Sequence, residues 1–181
     1  MCAWCTAQGS TYPMSVSLAS PHASHTQSRL IVWAVTRSRS TALERSLSQH
    51  SEAMVMHELL TEPYLKEYNR ENFEKIVHGQ SEQSIASSGC SYATMLEVMT
   101  ADYTAQGRPF FFSKELSCYF DLNQIKSSWL SRFNHVVLIR PPKKTLESFY
   151  RVSVEYPENS TYYDASEAGF QEAFGIVNAL K

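Results

Sequence analysis

The sequence predicts an α/β fold in which a central, mainly parallel sheet is flanked by helices. Three observations lead there. Short apolar runs rich in β-branched residues, LIVWAV at 30–35 being the clearest, alternate with stretches of helical periodicity. Polar side chains able to bind anions or exchange protons gather where those runs stop, which is where open parallel sheets hold their ligands. No apolar run approaches the ~18–20 residues that cross a bilayer, so the runs are read as core strands and a membrane span is excluded.

The elements follow in chain order. Residues 1–28, MCAWCTAQGSTYPMSVSLASPHASHTQS, are rich in Ser, Thr and Ala and show no periodicity, so a disordered leader is expected ahead of one domain over 29–181. The leader lacks the basic start and apolar stretch of a secretory signal, and it holds no Arg. LIVWAV is expected as a central parallel strand. Thr41 and Glu44 then have the T-x-x-E spacing of a capping box, which predicts a helix from about Thr41 with Ala42, Leu43, Leu47 and His50 toward one face. AMVMHE at 53–58 reads as a second strand ending in His57 and Glu58, followed by helical TEPYLKEYNRENFEKIV and a loop at 79–89.

In YATMLEVMTADYTAQG, Met95, Val98, Met99 and Tyr103 share a helical face, and Gly107 is a candidate stop. A third strand is predicted at 109–113, with Lys114 and Glu115 at its end, and a helix over DLNQIKSSWLSRF. HVVLIRPP reads as a fourth strand stopping at Arg140, because Pro141 and Pro142 cannot continue a sheet ladder. Helices follow in KKTLESFYRVSV, with a stripe of Leu146, Phe149, Tyr150 and Val154, and over 165–181. The Met and aromatic stripes are read as core, not as cofactor contacts.

Charge and cysteine usage narrow the function classes. The net charge is -2, but the first acidic residue is Glu44, and Arg29, Arg37 and Arg39 precede it. A positive segment in a chain that is not basic overall points to a local anion site, not a nucleic-acid surface. Cys2, Cys5, Cys90 and Cys118 are too few and too scattered for a disulfide framework, which suits a reducing, cytoplasmic location. Cys2 and Cys5 form a lone C-x-x-C with no second Cys or His pair at finger spacing, although His22 and His25 lie near, so no metal is expected.

The candidate site residues lie at the predicted strand ends. Arg37, Ser38, Arg39, Ser40 and Thr41 follow the first strand, His57 and Glu58 end the second, and Arg140 ends the fourth with Ser148 eight positions on. A hydroxyl-rich Arg loop entering a helix is a natural anion cradle, because the helix N-terminus presents unpaired N–H groups.

These residues support a resemblance. TRSRSTALERSL resembles the 5'-phosphosulfate loop of the sulfotransferase family, in the branch with an R-S-R-S-T form, and VVLIRPPKKTLESFYR resembles that family's 3'-phosphate motif, a strand-terminal Arg followed eight residues later by Ser. The match spans about 30–150. It implies a three-layer P-loop-type fold and sulfuryl transfer, without metal, from 3'-phosphoadenosine 5'-phosphosulfate to a hydroxyl or amine of a small-molecule acceptor. By the likeness Arg37 would sit on the leaving oxygen, Ser38, Ser40 and Thr41 would cradle the 5'-phosphate, and Arg140 and Ser148 would hold the 3'-phosphate. Glu58 is the first choice for the base that takes the acceptor's proton, His57 the second, and Lys114 could steady the transferred group.

The chain departs from the pattern in three places. Arg39 stands where many relatives have Gly and cannot adopt a positive φ cheaply, so either the loop bends differently or the guanidinium is a further phosphate clamp. Pro141 replaces the usual Asp or Asn. The sequence reaches Lys181 without the late Gly- and Lys-rich segment that closes the nucleotide pocket in the family, which implies a domain lacking its C-terminal part, with an open pocket or without turnover. The rival readings are an ATP-dependent kinase or NTPase, for which the loop lacks the glycines and Lys of G-x-x-x-x-G-K-[ST], and a degenerate nucleotide-binding domain.

Overall fold

The computed structural model describes residues 27–68, 91–123, 128–155 and 163–181. Four parallel strands form one sheet: β1 (Ser28–Ala34), β2 (Ala53–His57), β3 (Phe110–Leu116) and β4 (Asn134–Leu138), in the order β2-β3-β1-β4. Flanking it are α1 (Ser40–Leu47), α2 (Thr61–Tyr68), α3 (Tyr92–Thr100), α4 (Pro142–Glu155) and α5 (Phe170–Ala179). The α/β class and the central position of the first strand agree with the sequence pattern. No helix among the described residues is long and apolar enough to cross a membrane.

The apolar run of β1 is explained by its place between β3 and β4. Ile31, Val32, Trp33, Ala34 and Val35 are all buried, as a strand with neighbours on both edges and cover on both faces requires. Trp33 packs against Phe120 with ring centroids 4.6 Å apart, and its indole N–H donates to Nδ1 of His135 at 3.1 Å. Because Nδ1 accepts, the proton of the neutral imidazole lies on Nε2, which donates to the carbonyl of Leu130 at 2.9 Å. The buried indole is thereby satisfied, and replacing Trp33 by Ala would cost about 3–5 kcal/mol in lost burial and cavity formation.

Met99 is buried, and Met95, Val98 and Tyr103 pack against the same cluster as Ile31 and Phe111, so the predicted stripe is core. The helix that carries most of it ends at Thr100. Gly107 instead closes a 3₁₀ turn at Thr104–Gln106, in the left-handed conformation (φ 71°) that a residue without Cβ adopts freely. Arg29 fastens the end of α3. Its guanidinium donates to the carbonyls of Met99 and Ala101, both at 2.8 Å, and lies over the rings of Phe111 and Phe133. Arg29 is therefore spent at the amino end of β1 and adds nothing to the loop at its carboxyl end.

Several expected boundaries shift. α1 begins at Ser40, with Arg39 at the N-cap and no side-chain cap, so Thr41 and Glu44 form no capping box. Its buried face is Ser40 and Glu44, while Leu43 is 40% exposed. β3 continues through Lys114 and Glu115 to Leu116, because both charged groups find partners inside the fold. β4 stops at Leu138, two residues before Arg140. Within the helix expected over 121–133, Leu130–Arg132 is a 3₁₀ turn and residues 124–127 lie outside the described residues. In α4 the buried positions are Thr145, Phe149 and Ser153, whereas Tyr150 and Val154 face outward. The last segment divides into a 3₁₀ turn at Ala165–Ala168 and α5, broken at Gly169 (φ 80°), where an added Cβ would lie 2.6 Å from Ser117 Oγ. Of the leader expected over 1–28, Ser28 instead opens β1; residues 1–26 with the C-x-x-C, the later part of the second helical stretch and the loop at 79–89 lie outside the described residues.

Candidate functional site

Two loops leave adjacent strands side by side. Ala34 and Leu138 are paired across β1 and β4, and the ladder extends one step further, with the Val35 N–H donating to the Leu138 carbonyl at 3.1 Å. Residues 36–39 and 139–141 therefore emerge together at the carboxyl edge of the sheet. Arg140 Nη1 donates to the carbonyl oxygen of Arg37 at 3.1 Å, and Arg37 Nε lies 3.5 Å from Ser148 Oγ on α4. Residues 37, 140 and 148, far apart in the chain, form one neighbourhood.

The first loop has a tight backbone. Arg37 (φ 60°) and Arg39 (φ 72°) are both left-handed. Thr36 anchors the loop from behind: its N–H donates to the Ala168 carbonyl at 3.0 Å and its hydroxyl to the Glu167 carbonyl at 2.7 Å. The Ser38 N–H closes a turn onto the Val35 carbonyl at 3.2 Å. Arg39 thus takes the conformation expected to favour glycine, and the loop bends there despite the Cβ. Holding a non-glycine residue in this region costs about 1–2 kcal/mol, which the surrounding contacts must offset.

The mouth of α1 is suited to an anion. No side chain caps it and no acidic residue lies in its first turn, so the helix N-terminus keeps its positive end uncompensated. The guanidinium-bearing residues Arg37 and Arg39 are exposed beside it, as is Thr41. Ser38 is buried, with a hydroxyl that has no hydrogen-bond partner among the described residues, and Ser40 is buried on the sheet side of the helix. An unpaired buried hydroxyl costs about 1–3 kcal/mol, so its retention in an anion-suited loop is consistent with a partner that arrives from outside the chain.

A second polar cluster lies at the ends of β2 and β3, on the other side of α1. His57 is paired with Lys114 in the sheet, and the Glu58 N–H continues the ladder onto the Lys114 carbonyl at 2.8 Å. Glu58 then turns left-handed (φ 49°). Its carboxylate accepts from Lys114 Nζ, whose side chain is 1% exposed. Glu44 reaches in from α1 and places Oε2 at 2.6 Å from His57 Nδ1 and 3.8 Å from Lys114 Nζ. His57 Nε2 lies 3.8 Å from Glu58 Oε1. A buried ammonium needs nearby carboxylates, and here it has two.

Glu115 underpins this cluster. It is fully buried, accepts the N–H groups of Leu59 and Leu60 at 3.2 and 3.0 Å and the Ser113 hydroxyl at 2.5 Å, and so ties the turn after Glu58 to β3. Burial outweighs those three donors and pushes its carboxyl up to about 7. Among the described residues no group of three His, Cys, Asp or Glu side chains is arranged to hold a metal ion.

The structure brings Arg37, Ser38, Arg39, Ser40, Thr41, Arg140 and Ser148 to one sheet edge, and His57, Glu58 and Lys114 to a second group. The two are linked by α1, whose buried face carries Ser40 at its start and Glu44 one turn on. Sequence reasoning missed Glu44, which it had assigned to a helix cap. The i, i+4 spacing from Ser40 was the available signal. No family model matches the chain, and no curated protein matches it at a significant level.

Proposed function

We propose that this protein binds 3'-phosphoadenosine 5'-phosphosulfate and transfers its sulfuryl group to a hydroxyl or amine of a small-molecule acceptor. The observation that supports this most is the junction of the two loops: Arg140 on the Arg37 carbonyl and Arg37 beside Ser148. A ligand with two separated anionic groups would find Arg37, Ser38 and the α1 N-terminus for one, and Arg140 with Ser148 for the other. In-line sulfuryl transfer resembles phosphoryl transfer in needing placement and stabilisation of charge on the leaving oxygen. Arg37 supplies that stabilisation in this reading, and Arg39 adds a second exposed guanidinium at the same helix mouth.

A kinase or NTPase is disfavoured because the loop lacks the Gly and Lys of a Walker A segment and β4 is followed by Arg, not by a magnesium-binding Asp. One observation favours a binding domain without turnover: the Glu58 carboxylate is already engaged by Lys114, and an acceptor would have to compete for it. Equilibrium binding of adenosine 3',5'-bisphosphate against adenosine 5'-monophosphate tests the donor site. The bisphosphate is expected to bind at least about tenfold more tightly, the contribution of a charge-assisted pair. Equal affinity for the two would remove Arg140 and Ser148 from the site.

A further inference from the structure

Glu58 stands in a conformation that needs support. It is left-handed (φ 49°), a region in which a residue with a Cβ persists only where its surroundings fix it. Two consecutive residues of β3 fix it from either side. The Lys114 carbonyl accepts the Glu58 N–H at 2.8 Å, and Lys114 Nζ donates to the Glu58 carboxylate. Just beyond Glu58, Glu115 Oε1 accepts the Leu59 N–H at 3.2 Å and Oε2 the Leu60 N–H at 3.0 Å, before α2 begins at Thr61. An amide side chain would cost less to bury at 115 than a carboxylate. It has one acceptor oxygen, whereas the two N–H groups use two. The Ser113 hydroxyl, bonded to Oε1 at 2.5 Å, fixes the carboxylate in turn.

We infer that Glu115 is a positioning residue for Glu58: by holding the N–H groups of Leu59 and Leu60 it keeps the Glu58 carboxylate where the acceptor's proton is taken, a role that rests on the sulfuryl-transfer reading above. In the step, a lone pair of the acceptor oxygen or nitrogen forms the new bond to sulfur. The bond from sulfur to the 5'-phosphate oxygen breaks, with its electron pair going to that oxygen. The acceptor's proton passes to the Glu58 carboxylate, in competition with Lys114, and is then released to water. Glu115 is fully buried, so it meets no reacting atom and acts only through the turn. Proton transfer depends steeply on the placement of the accepting group, and this turn sets that placement.

Release of labelled sulfate from 3'-phosphoadenosine 5'-phosphosulfate, with water as acceptor, tests this in the full chain without knowledge of the natural acceptor. The assay is run at pH 8, above the value of about 7 to which burial raises the Glu115 carboxyl. Glu58→Gln is expected to lose about 100-fold or more in kcat, and Glu115→Gln about tenfold or more, both with the donor KM retained. If Glu115 acts through Glu58, the double variant is no slower than Glu58→Gln alone. Hydrogen exchange of the Leu59 and Leu60 amides should be about tenfold or more faster in Glu115→Gln and unaltered in Glu58→Gln. Multiplying losses, a loss confined to KM, an unaltered Glu115→Gln rate, or unaltered exchange at both amides overturns the inference. Ser113→Ala keeps the carboxylate but frees its Oε1, and serves where Glu115→Gln folds poorly: a loss of about two- to tenfold in kcat is expected, and an unaltered rate overturns the inference. A wild-type chain that releases no sulfate also overturns it, and adenosine 3',5'-bisphosphate binding in the same preparation shows whether the donor site survives that result.

Discussion

Arg140 Nη1 donates to the carbonyl oxygen of Arg37 at 3.1 Å, tying the loop after β4 to the loop after β1. Arg140 therefore helps to place the loop that carries Arg37, through a backbone carbonyl that any residue at 37 would supply. Arg37→Ala and Arg140→Ala should each weaken adenosine 3',5'-bisphosphate binding by about tenfold or more, the worth of a charge-assisted contact. Their effects should not add. A double-mutant cycle by calorimetry is expected to give a coupling of about 0.5–3 kcal/mol, and strict additivity would mean that the two loops bind independently.

Arg39 has a glycine's backbone conformation and an arginine's side chain. Arg39→Gly relieves a left-handed cost of about 1–2 kcal/mol and loses about 0.5–1 kcal/mol to the greater freedom of the unfolded chain. Urea unfolding should thus show a variant that is unchanged or up to about 1.5 kcal/mol more stable. Bisphosphate affinity should fall, since an exposed guanidinium at the helix mouth is lost. Unchanged affinity would make Arg39 a loop residue and not a clamp.

Glu115 makes stability depend on pH. Its carboxyl is raised from 4.5 to about 7 by burial, so between those values the folded chain holds a proton that the unfolded chain has released. Stability from this group therefore falls as pH rises through that window, by about 3 kcal/mol in all, and is flat above it. Glu115→Gln should flatten the profile measured by urea unfolding from pH 5 to 8. It should also lower stability at pH 5, because Leu59 and Leu60 donate to different carboxyl oxygens and the amide NH2 that replaces one of them cannot accept. A wild-type stability that rises across the window would contradict the assignment.

Cys118 should be inert in the folded chain. It is buried, its thiol is pushed up by burial, and its sulfur lies 3.9 Å from the Thr36 hydroxyl. Alkylation with iodoacetamide at pH 8, read residue by residue by mass spectrometry, should modify Cys118 at least about 100-fold more slowly in native than in unfolded protein. Rapid native labelling would place the thiol in an open part of the structure.

The parallel sheet was legible because its strands are short apolar runs with the period and length of buried strands, and LIVWAV could hardly be solvent-exposed. The Arg loop and Arg140 were legible as strand-end residues, although β4 ends two residues earlier than Arg140. What local patterns could not give is the partner of each charged group. Glu44 fits a capping box as well as a buried ion pair, and only the position of His57 across the sheet decides between them. Lys114 and Glu115 looked like strand-end residues because charges are rarely buried. Here they are satisfied by Glu58 and by the N–H groups of Leu59 and Leu60, contacts between segments about 55 residues apart. Arg29 was counted with the loop arginines by its nearness in sequence, yet it serves the opposite end of β1.

The donor site is tested most directly by a thermal-shift titration of the wild-type chain and Arg140→Ala with adenosine 3',5'-bisphosphate, beside ATP with magnesium. Stabilisation by the bisphosphate is expected in the wild type, about 2.7 kcal/mol at a hundred times the dissociation constant, and it should be abolished in Arg140→Ala. Stabilisation by magnesium-ATP alone would contradict the proposed site and favour a nucleoside triphosphate-binding protein.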